Sequence, residues 1–134
     1  MEQIWDPLRK MMVTATPEER VRQWFIMQLR DAFGVPEHMM RSEVGFRYGK
    51  KPWRADIVVY DRAGAPLLVT ECKRPDVVLD EKVLRQVMRY NSVLDVRFLI
   101  VTNGNLTYLY RLEGETFVPC ERIPAYEEML LCQR

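Results

Sequence analysis

The part of the sequence that most constrains the fold is a pair of short apolar runs joined by a turn. The runs are residues 54–60 and 67–73, and the six residues between them read Asp-Arg-Ala-Gly-Ala-Pro. Each run contains three consecutive aliphatic residues, which is typical of a mostly buried strand. The sequence therefore predicts a β-hairpin near the centre of a sheet.

Both runs of this apolar hairpin carry ionised side chains, among them Asp56 in the first run and Glu71 and Lys73 at the end of the second. Because side chains alternate across a strand, Glu71 and Lys73 point to the same face, roughly 7 Å apart. If Asp56 faces Glu71, the two carboxylates repel each other, and a divalent cation with oxygen ligands would relieve the repulsion. An ordinary cluster of ion pairs is the alternative interpretation.

The register of the hairpin decides whether the two carboxylates meet. A two-residue turn at positions 63–64 would pair Tyr60 with Leu67. The same register brings Asp56 opposite Glu71. A three-residue loop with a glycine bulge would shift the pairing by one residue and turn Asp56 away, unless a second irregularity restored it. The sequence leaves both arrangements open.

Length and composition indicate one globular domain over residues 1–134, of which 48% are hydrophobic. No apolar run approaches the roughly 20 residues that span a bilayer, and the N-terminus lacks a signal-peptide pattern, so we expect a cytoplasmic protein without membrane contact. Three cysteines without metal-like spacing (Cys72, Cys120, Cys132) favour reduced thiols. The single His38 rules out most histidine-based chemistry, and the net charge of +1 does not by itself indicate nucleic acid.

The rest of the chain alternates between helical and strand patterns. Thr16, Pro17 and Glu19 form a helix start, with Glu19 in the capping role and Glu18 at the edge of the apolar face. Further helices are expected at about 80–94 and 125–131. The predicted class is α/β: a mixed central sheet of about five strands flanked by helices, in the order α-β-β-β-α-β-β-(β)-α, with 67–73 and 97–102 parallel. Residues 1–15 are interpreted as a packed arm or a short strand.

The spacing of the charged residues resembles a known nuclease signature. Asp56 and, 15 positions later, Glu71-x-Lys73 are similar to the PD-(D/E)XK motif, with Ala55 in the place of its proline. The expected second helix carries Gln86-Val-Met-Arg-Tyr90, which resembles the QxxxY motif of the exonuclease-type branch. Across most of residues 16–126 the pattern most resembles the N-terminal nuclease domain of type I restriction enzyme R subunits, in particular a small standalone form. This resemblance implies a restriction-endonuclease-like fold.

The resemblance also implies a metal site. Asp56 and Glu71 would ligate Mg2+ or Mn2+, helped by the backbone carbonyl of Cys72. Glu18 would be an outer partner of the metal. A metal held by carboxylates supplies the charge neutralisation that phosphodiester hydrolysis needs.

The remaining roles implied by the resemblance belong to Lys73, Gln86 and Tyr90. Lys73 would orient or deprotonate the attacking water, and Gln86 would hold the cluster of metal, water and lysine. Together with Asp56 and Glu71 they complete the implied catalytic set. Tyr90 would support that cluster or touch DNA.

Basic residues near these positions are candidates for contacts with the DNA backbone, although a solvated surface is the alternative. The candidates are Arg47, Lys50, Lys51, Arg54, Arg85 and Arg89. The implied function is a metal-dependent DNA endonuclease of restriction or repair. The alternative is a non-cleaving nucleic-acid-binding or assembly module on the same fold. A helicase/translocase or specificity subunit would come from another chain, and a homodimer stays open.

Overall fold

A mixed β-sheet covered by helices forms the body of the structure. The computed structural model describes residues 1–132, without the side chain of Tyr48, so residues 133–134 of the predicted domain lie outside the described part. In chain order the elements are β1 (Gln3–Asp6), β2 (Met11–Thr14), α1 (Pro17–Asp31), a 3-10 helix (Glu37–Met39), β3 (Met40–Tyr48), β4 (Lys51–Tyr60), β5 (Pro66–Cys72), α2 (Glu81–Asn91), β6 (Phe98–Thr102), β7 (Thr107–Glu113), β8 (Thr116–Cys120) and α3 (Tyr126–Leu131). None of the described helices is long and apolar enough to span a membrane.

Strands β3 to β8 lie side by side in chain order. β5 and β6 are parallel, as the strand-helix-strand pattern predicts, and the other neighbours are antiparallel. The predicted α/β class is confirmed. The main sheet has six strands rather than about five, because residues 116–120 form a complete edge strand against β7.

Two apolar clusters hold the helices to the sheet. Phe25 of α1 and Met129 of α3 share one cluster with Ile57. Val87 of α2 belongs to the other, together with Val69. Ile57 and Val69 are fully buried, and burial of a side chain of this size contributes roughly 1.5–3 kcal/mol. The face to which a residue of β4 or β5 points therefore decides which helix it meets.

The central hairpin has the predicted register but a different turn. Residues 57–59 pair with residues 68–70, and a bulge after Val59 then pairs Tyr60 with Pro66. Of the two arrangements that the sequence leaves open, the structure has the register of the first, but without its two-residue turn at 63–64 and its Tyr60–Leu67 pair. The reason is Asp61, whose Oδ1 accepts hydrogen bonds of 2.9 Å from the amides of Ala63 and Ala65 and shapes a longer loop.

The N-terminal residues form a hairpin of their own, β1–β2, ahead of α1. Asp6 is fully buried there, and its Oδ1 accepts a 2.8 Å hydrogen bond from the amide of Leu8 in the turn. The sequence pattern concealed this hairpin because the cross-strand pair Trp5 and Met12 is 56% and 49% exposed. Apolar residues that face solvent remove the alternation by which a strand is recognised.

Helix α1 begins where the sequence predicts, but Glu19 has a different role. Thr16 Oγ1 accepts a 3.1 Å hydrogen bond from the amide of Glu19, as an N-cap should. The Glu19 side chain is buried instead of capping the helix, and it forms ion pairs with Arg9 at 2.6 Å and Arg22 at 3.1 Å. A buried carboxylate needs such partners, and the hairpin β1–β2 supplies one of them.

Candidate active site

Asp56 and Glu71 lie on neighbouring strands and line the same cleft. The pairing of residues 57–59 with 68–70, continued by one step, brings position 56 opposite position 71. The amide of Cys72 donates a 2.7 Å hydrogen bond to Asp56 Oδ2, which directs the aspartate across the hairpin toward β5. The two carboxylates therefore meet on one side of the sheet.

An irregularity in the β3–β4 pair accompanies this arrangement. Glu43, opposite Asp56, has a φ of 52°, although the residues on either side of it pair regularly with β4. Ala55 and Ile57 flank Asp56 and belong to the two different apolar clusters. Because residues two apart share a face in a regular strand, the division of Ala55 and Ile57 between the two clusters marks an irregularity of β4 at Asp56. Backbone in this left-handed region costs of order 1–3 kcal/mol, and such strain concentrates at functional sites.

The cleft has a volume of about 280 Å³ and brings together every residue predicted for a catalytic, metal or supporting role. Glu71 is the most buried of its carboxylates, with 7% exposure. Asp56, Glu18 and Lys73 are half-buried, and Gln86 is exposed. The lining residues are Glu18, Trp53, Arg54, Asp56, Glu71, Cys72, Lys73, Gln86, Val87 and Tyr90.

The carboxylates of this cleft resist ionisation. Burial raises the pKa of Glu71 well above its usual value, and the charge of Asp56 raises it further. Burial also raises the pKa of Asp56, while the Cys72 amide and the Arg22 guanidinium act in the opposite direction. The pKa of Glu18 is raised by burial and by Asp56. Without a cation, burial and mutual repulsion therefore both disfavour the joint ionisation of Asp56 and Glu71, and the charge of Lys73 acts in the opposite direction.

The same cleft contains an oxygen that suits a cation. Among residues 1–132, Glu71 Oε1 is buried and has no hydrogen-bond donor. Buried carboxylate oxygens normally have donors, and hard divalent cations bind such oxygens. The described residues contain no group of three or more His, Cys, Asp or Glu side chains that could hold a metal. The donor type that the cleft does offer, two carboxylates with one unpartnered oxygen, is the type through which Mg2+ binds together with water and phosphate.

Lys73 reaches the cleft because the backbone around it is fixed. Its amide donates a 2.8 Å hydrogen bond to the carbonyl of Thr102, directly after β5 ends. Asn103 Nδ2 donates a 2.9 Å hydrogen bond to the carbonyl of Val77 and so ties the following segment to the β6–β7 loop. The side chains of Lys73 and Glu71 line the cleft together, as their spacing predicts.

Helix α2 brings Gln86 and Tyr90 to the cleft, since residues four apart share one side of a helix. The Tyr90 ring stacks on Trp53 with ring centroids 6.1 Å apart and planes 12° from parallel. The stack joins α2 to the part of β4 that precedes Asp56. Trp53 is a cleft residue that sequence reasoning missed, because no motif marks it.

A groove of about 890 Å³ along α2 adjoins the cleft and shares Gln86 and Tyr90 with it. Three of the predicted DNA-contact residues line this groove, and Lys82, which was not predicted, lines it as well. Arg85 is ion-paired with Glu81. The basic residues of the groove are Lys51, Lys82, Arg85 and Arg89.

The other three predicted DNA-contact residues lie outside this groove. Arg54 lines the cleft itself and forms a 3.6 Å ion pair with Glu43. Arg47 and Arg54 border a separate depression beside β3 and β4. Lys50 is exposed in the turn between these strands. The six candidates therefore do not form a single surface.

Two further residues near the carboxylates were not predicted for the site. Arg22 is buried, forms a 3.3 Å ion pair with Glu43, and acts electrostatically on Asp56. Its position four residues after Glu18 on α1 was an available signal. Asn91 of α2 is fully buried and acts on the pKa of Glu71.

The fold of this chain is similar to the folds of two solved structures. The structure resembles a fragment of a candidate HsdR subunit of a type I restriction enzyme from Vibrio vulnificus YJ016, with a TM-score of 0.61 and 18% identity over 87% of this chain and 25% of that one. It also resembles a candidate nuclease of the DUF820 group from Anabaena variabilis ATCC 29413, with a TM-score of 0.54 and 12% identity over 88% of this chain and 79% of that one. The chain spans about a quarter of the length of the HsdR fragment. No curated protein matches the sequence.

A sequence family, the N-terminus of type I restriction enzyme R proteins (HSDR_N), matches residues 17–124. That range contains every residue that lines the cleft. The sequence-based recognition of a nuclease-like domain related to restriction is confirmed. The chain therefore belongs to the family of type I restriction enzyme R protein N-terminal domains.

Proposed function

We propose that this chain is a metal-dependent DNA nuclease that hydrolyses phosphodiester bonds, as an endonuclease of restriction or repair. One observation carries the proposal: the buried Glu71 and the half-buried Asp56 share a cleft with a lysine, and one Glu71 oxygen lacks a donor within residues 1–132. Family membership supports a nuclease-like role. The residues of the cleft carry the argument for cleavage, since a fold does not fix a function.

We propose Mg2+ or Mn2+ as the cofactor. Asp56 and Glu71 would hold the ion together with the backbone carbonyl of Cys72, because hard cations prefer oxygen ligands. When bound, the ion would offset the charge of the scissile phosphate and favour ionisation of a water molecule. Glu18 is half-buried and near Asp56, so it would be an outer partner.

We assign to Lys73 the activation of the attacking water. Its amine would orient the water or accept its proton, and its charge would stabilise the phosphate as negative charge develops. Gln86 would hold this cluster from the mouth of the cleft. Tyr90, stacked on Trp53, would support the cluster or contact DNA.

DNA would approach along the groove on α2. Lys51, Arg85 and Arg89 would contact phosphates there, while Arg47, Lys50 and Arg54 would extend the contacts along the β3–β4 hairpin. Phosphate contacts give affinity without sequence choice. With a net charge of only +1, the chain would bind DNA weakly by itself.

We propose that other chains complete the activity. The HsdR fragment that this chain resembles belongs to a type I restriction enzyme, and the chain spans about a quarter of it. A helicase/translocase or specificity subunit on another chain would deliver DNA, and a homodimer would cut two strands. The site of action would be the cytoplasm.

The proposal predicts cleavage of plasmid DNA that depends on Mg2+ or Mn2+. Lys73→Met and Asp56→Asn should each lower the cleavage rate at least about 100-fold, because each removes a group that acts on the reacting atoms. The matched control is Glu115→Gln, an exposed position in the β7–β8 turn. The measurement is the rate of conversion of supercoiled DNA under single-turnover conditions.

Two results would contradict the proposed nuclease activity. Retention of DNA without cleavage in either metal would favour the non-cleaving binding module. Cleavage by Lys73→Met or Asp56→Asn at the wild-type rate would remove these residues from the mechanism.

The raised pKa of Glu71 predicts an unusual effect of pH on stability. Because the folded state disfavours the ionised form, the wild type loses stability as pH rises from about 4.3, the usual value, through the raised pKa. In EDTA at pH 8, Glu71→Gln should therefore unfold at a higher temperature than the wild type. The difference should vanish below about pH 4.

Metal should reverse that order of stability. At 100 times its Kd, Mn2+ would stabilise the wild type by about 2.7 kcal/mol and have little effect on Glu71→Gln. Calorimetric melting curves in EDTA and in Mn2+ test this, with Glu115→Gln as the control. A wild type at least as stable as Glu71→Gln at pH 8 in EDTA would show that burial does not strain Glu71.

The groove on α2 predicts a non-specific, salt-dependent contact at Arg89. This residue is exposed and has no ion-pair partner among the described residues, unlike Arg85. Arg89→Gln should weaken DNA binding equally for unrelated sequences and reduce the slope of log K against log salt by about 1. Fluorescence anisotropy in Ca2+ measures both quantities. Arg122→Gln serves as the control, and an unchanged slope for Arg89→Gln would exclude the contact.

A further inference from the structure

Asn91 is a polar side chain in a wholly buried position at the end of α2. It has 0% exposure and lies one helical turn after Val87, which lines the cleft. Residues four apart share a helix face, so Asn91 continues the face that α2 turns toward the carboxylates. Burial of an amide is unfavourable unless its donors and acceptor are hydrogen-bonded. A buried asparagine on this face of α2 therefore requires polar partners.

The helix satisfies only part of this requirement. Asn91 Nδ2 donates a 2.7 Å hydrogen bond to the carbonyl of Val87, which fixes the orientation of the amide. A carboxamide carries two N–H donors, so one remains. Asn91 Oδ1 has no donor within residues 1–132.

Glu71 is the charged group beside Asn91. Val87, whose carbonyl accepts from Asn91, lines the same cleft as Glu71, and the Asn91 amide acts to lower the pKa of Glu71 against the effect of burial. Gln86 also carries an amide on α2, but it is exposed at the mouth of the cleft. Of these two amides, only that of Asn91 is held rigidly inside the protein.

We propose that Asn91 is a positioning residue whose second amide hydrogen donates to the Glu71 carboxylate and holds it in the orientation that a divalent cation needs. The consequence for metal binding rests on the proposed function, whereas the contact itself does not. Donors behind a ligating carboxylate orient it, and their loss typically weakens metal binding 10–100-fold.

The first test measures the contact without metal. Asn91→Leu keeps the branching and the number of heavy atoms of the side chain and removes its polar atoms. In EDTA at pH 8, the destabilisation caused by Glu71→Ala should differ between the wild-type and Asn91→Leu backgrounds. The control is Leu84→Ala, a half-buried position of α2 that should be additive with Glu71→Ala. Additivity of Asn91→Leu with Glu71→Ala would overturn the proposal.

The second test measures the consequence by titrating Mn2+ into the metal-free protein and following heat or the EPR signal of free Mn2+. Asn91→Leu should bind Mn2+ 10–100-fold more weakly than the wild type, and Leu84→Ala should bind it as tightly as the wild type. Equal affinity of Asn91→Leu and wild type would overturn the positioning role. A wild type that binds no Mn2+ would contradict the proposed cofactor. The experiment in EDTA would still show whether Asn91 contacts Glu71.

Discussion

Two carboxylates that meet in one cleft, one buried and one half-buried, disfavour each other's ionisation, and this electrostatic conflict organises the site. The fold maintains the conflict: the register of β4 and β5 brings Asp56 opposite Glu71, and the Cys72 amide holds Asp56 there at 2.7 Å. Burial raises the pKa of both groups, so the metal-free protein disfavours ionisation of the two carboxylates together. Apolar residues at the same positions would often be more stable. A site that gives up stability in this way is expected to bind a cation.

A second group of charges, built around the buried Arg22 and Glu19, supports the first. Arg22 binds Glu19 at 3.1 Å and Glu43 at 3.3 Å, and Arg9 joins Glu19 from the hairpin β1–β2. Glu43 lies on β3 opposite Asp56 and pairs with Arg54 of β4, so this network connects the N-terminal hairpin and α1 to the two strands beside the aspartate. Because removal of one member would leave an unpaired buried charge, the network fixes α1 against the sheet more firmly than exposed pairs would. α1 in turn carries Glu18 to the cleft.

Much of the site could be predicted because its residues obey local spacing rules. The alternation of Glu71 and Lys73, the i,i+4 relation of Gln86 and Tyr90, and the aliphatic runs all follow from the periods of strands and helices. The elements that sequence reasoning missed depend on tertiary contacts. The loop after Tyr60 is set by the hydrogen bonds of Asp61, and the hairpin β1–β2 exposes the residues that would have revealed it. The role of Asn91 could not be predicted, since its position suits packing and only the fold brings Glu71 beside it.

The central claim is that Asp56 and Glu71 form one cation site. Anomalous diffraction from crystals soaked in Mn2+ at a pH near 8 tests it most directly, because the signal locates the metal independently of activity. We expect a single strong peak between the two carboxylates, about 2.0–2.2 Å from an oxygen of each, on the basis of divalent ion geometry. Crystals in which Mn2+ occupies other positions while this cleft stays without a peak would contradict the account.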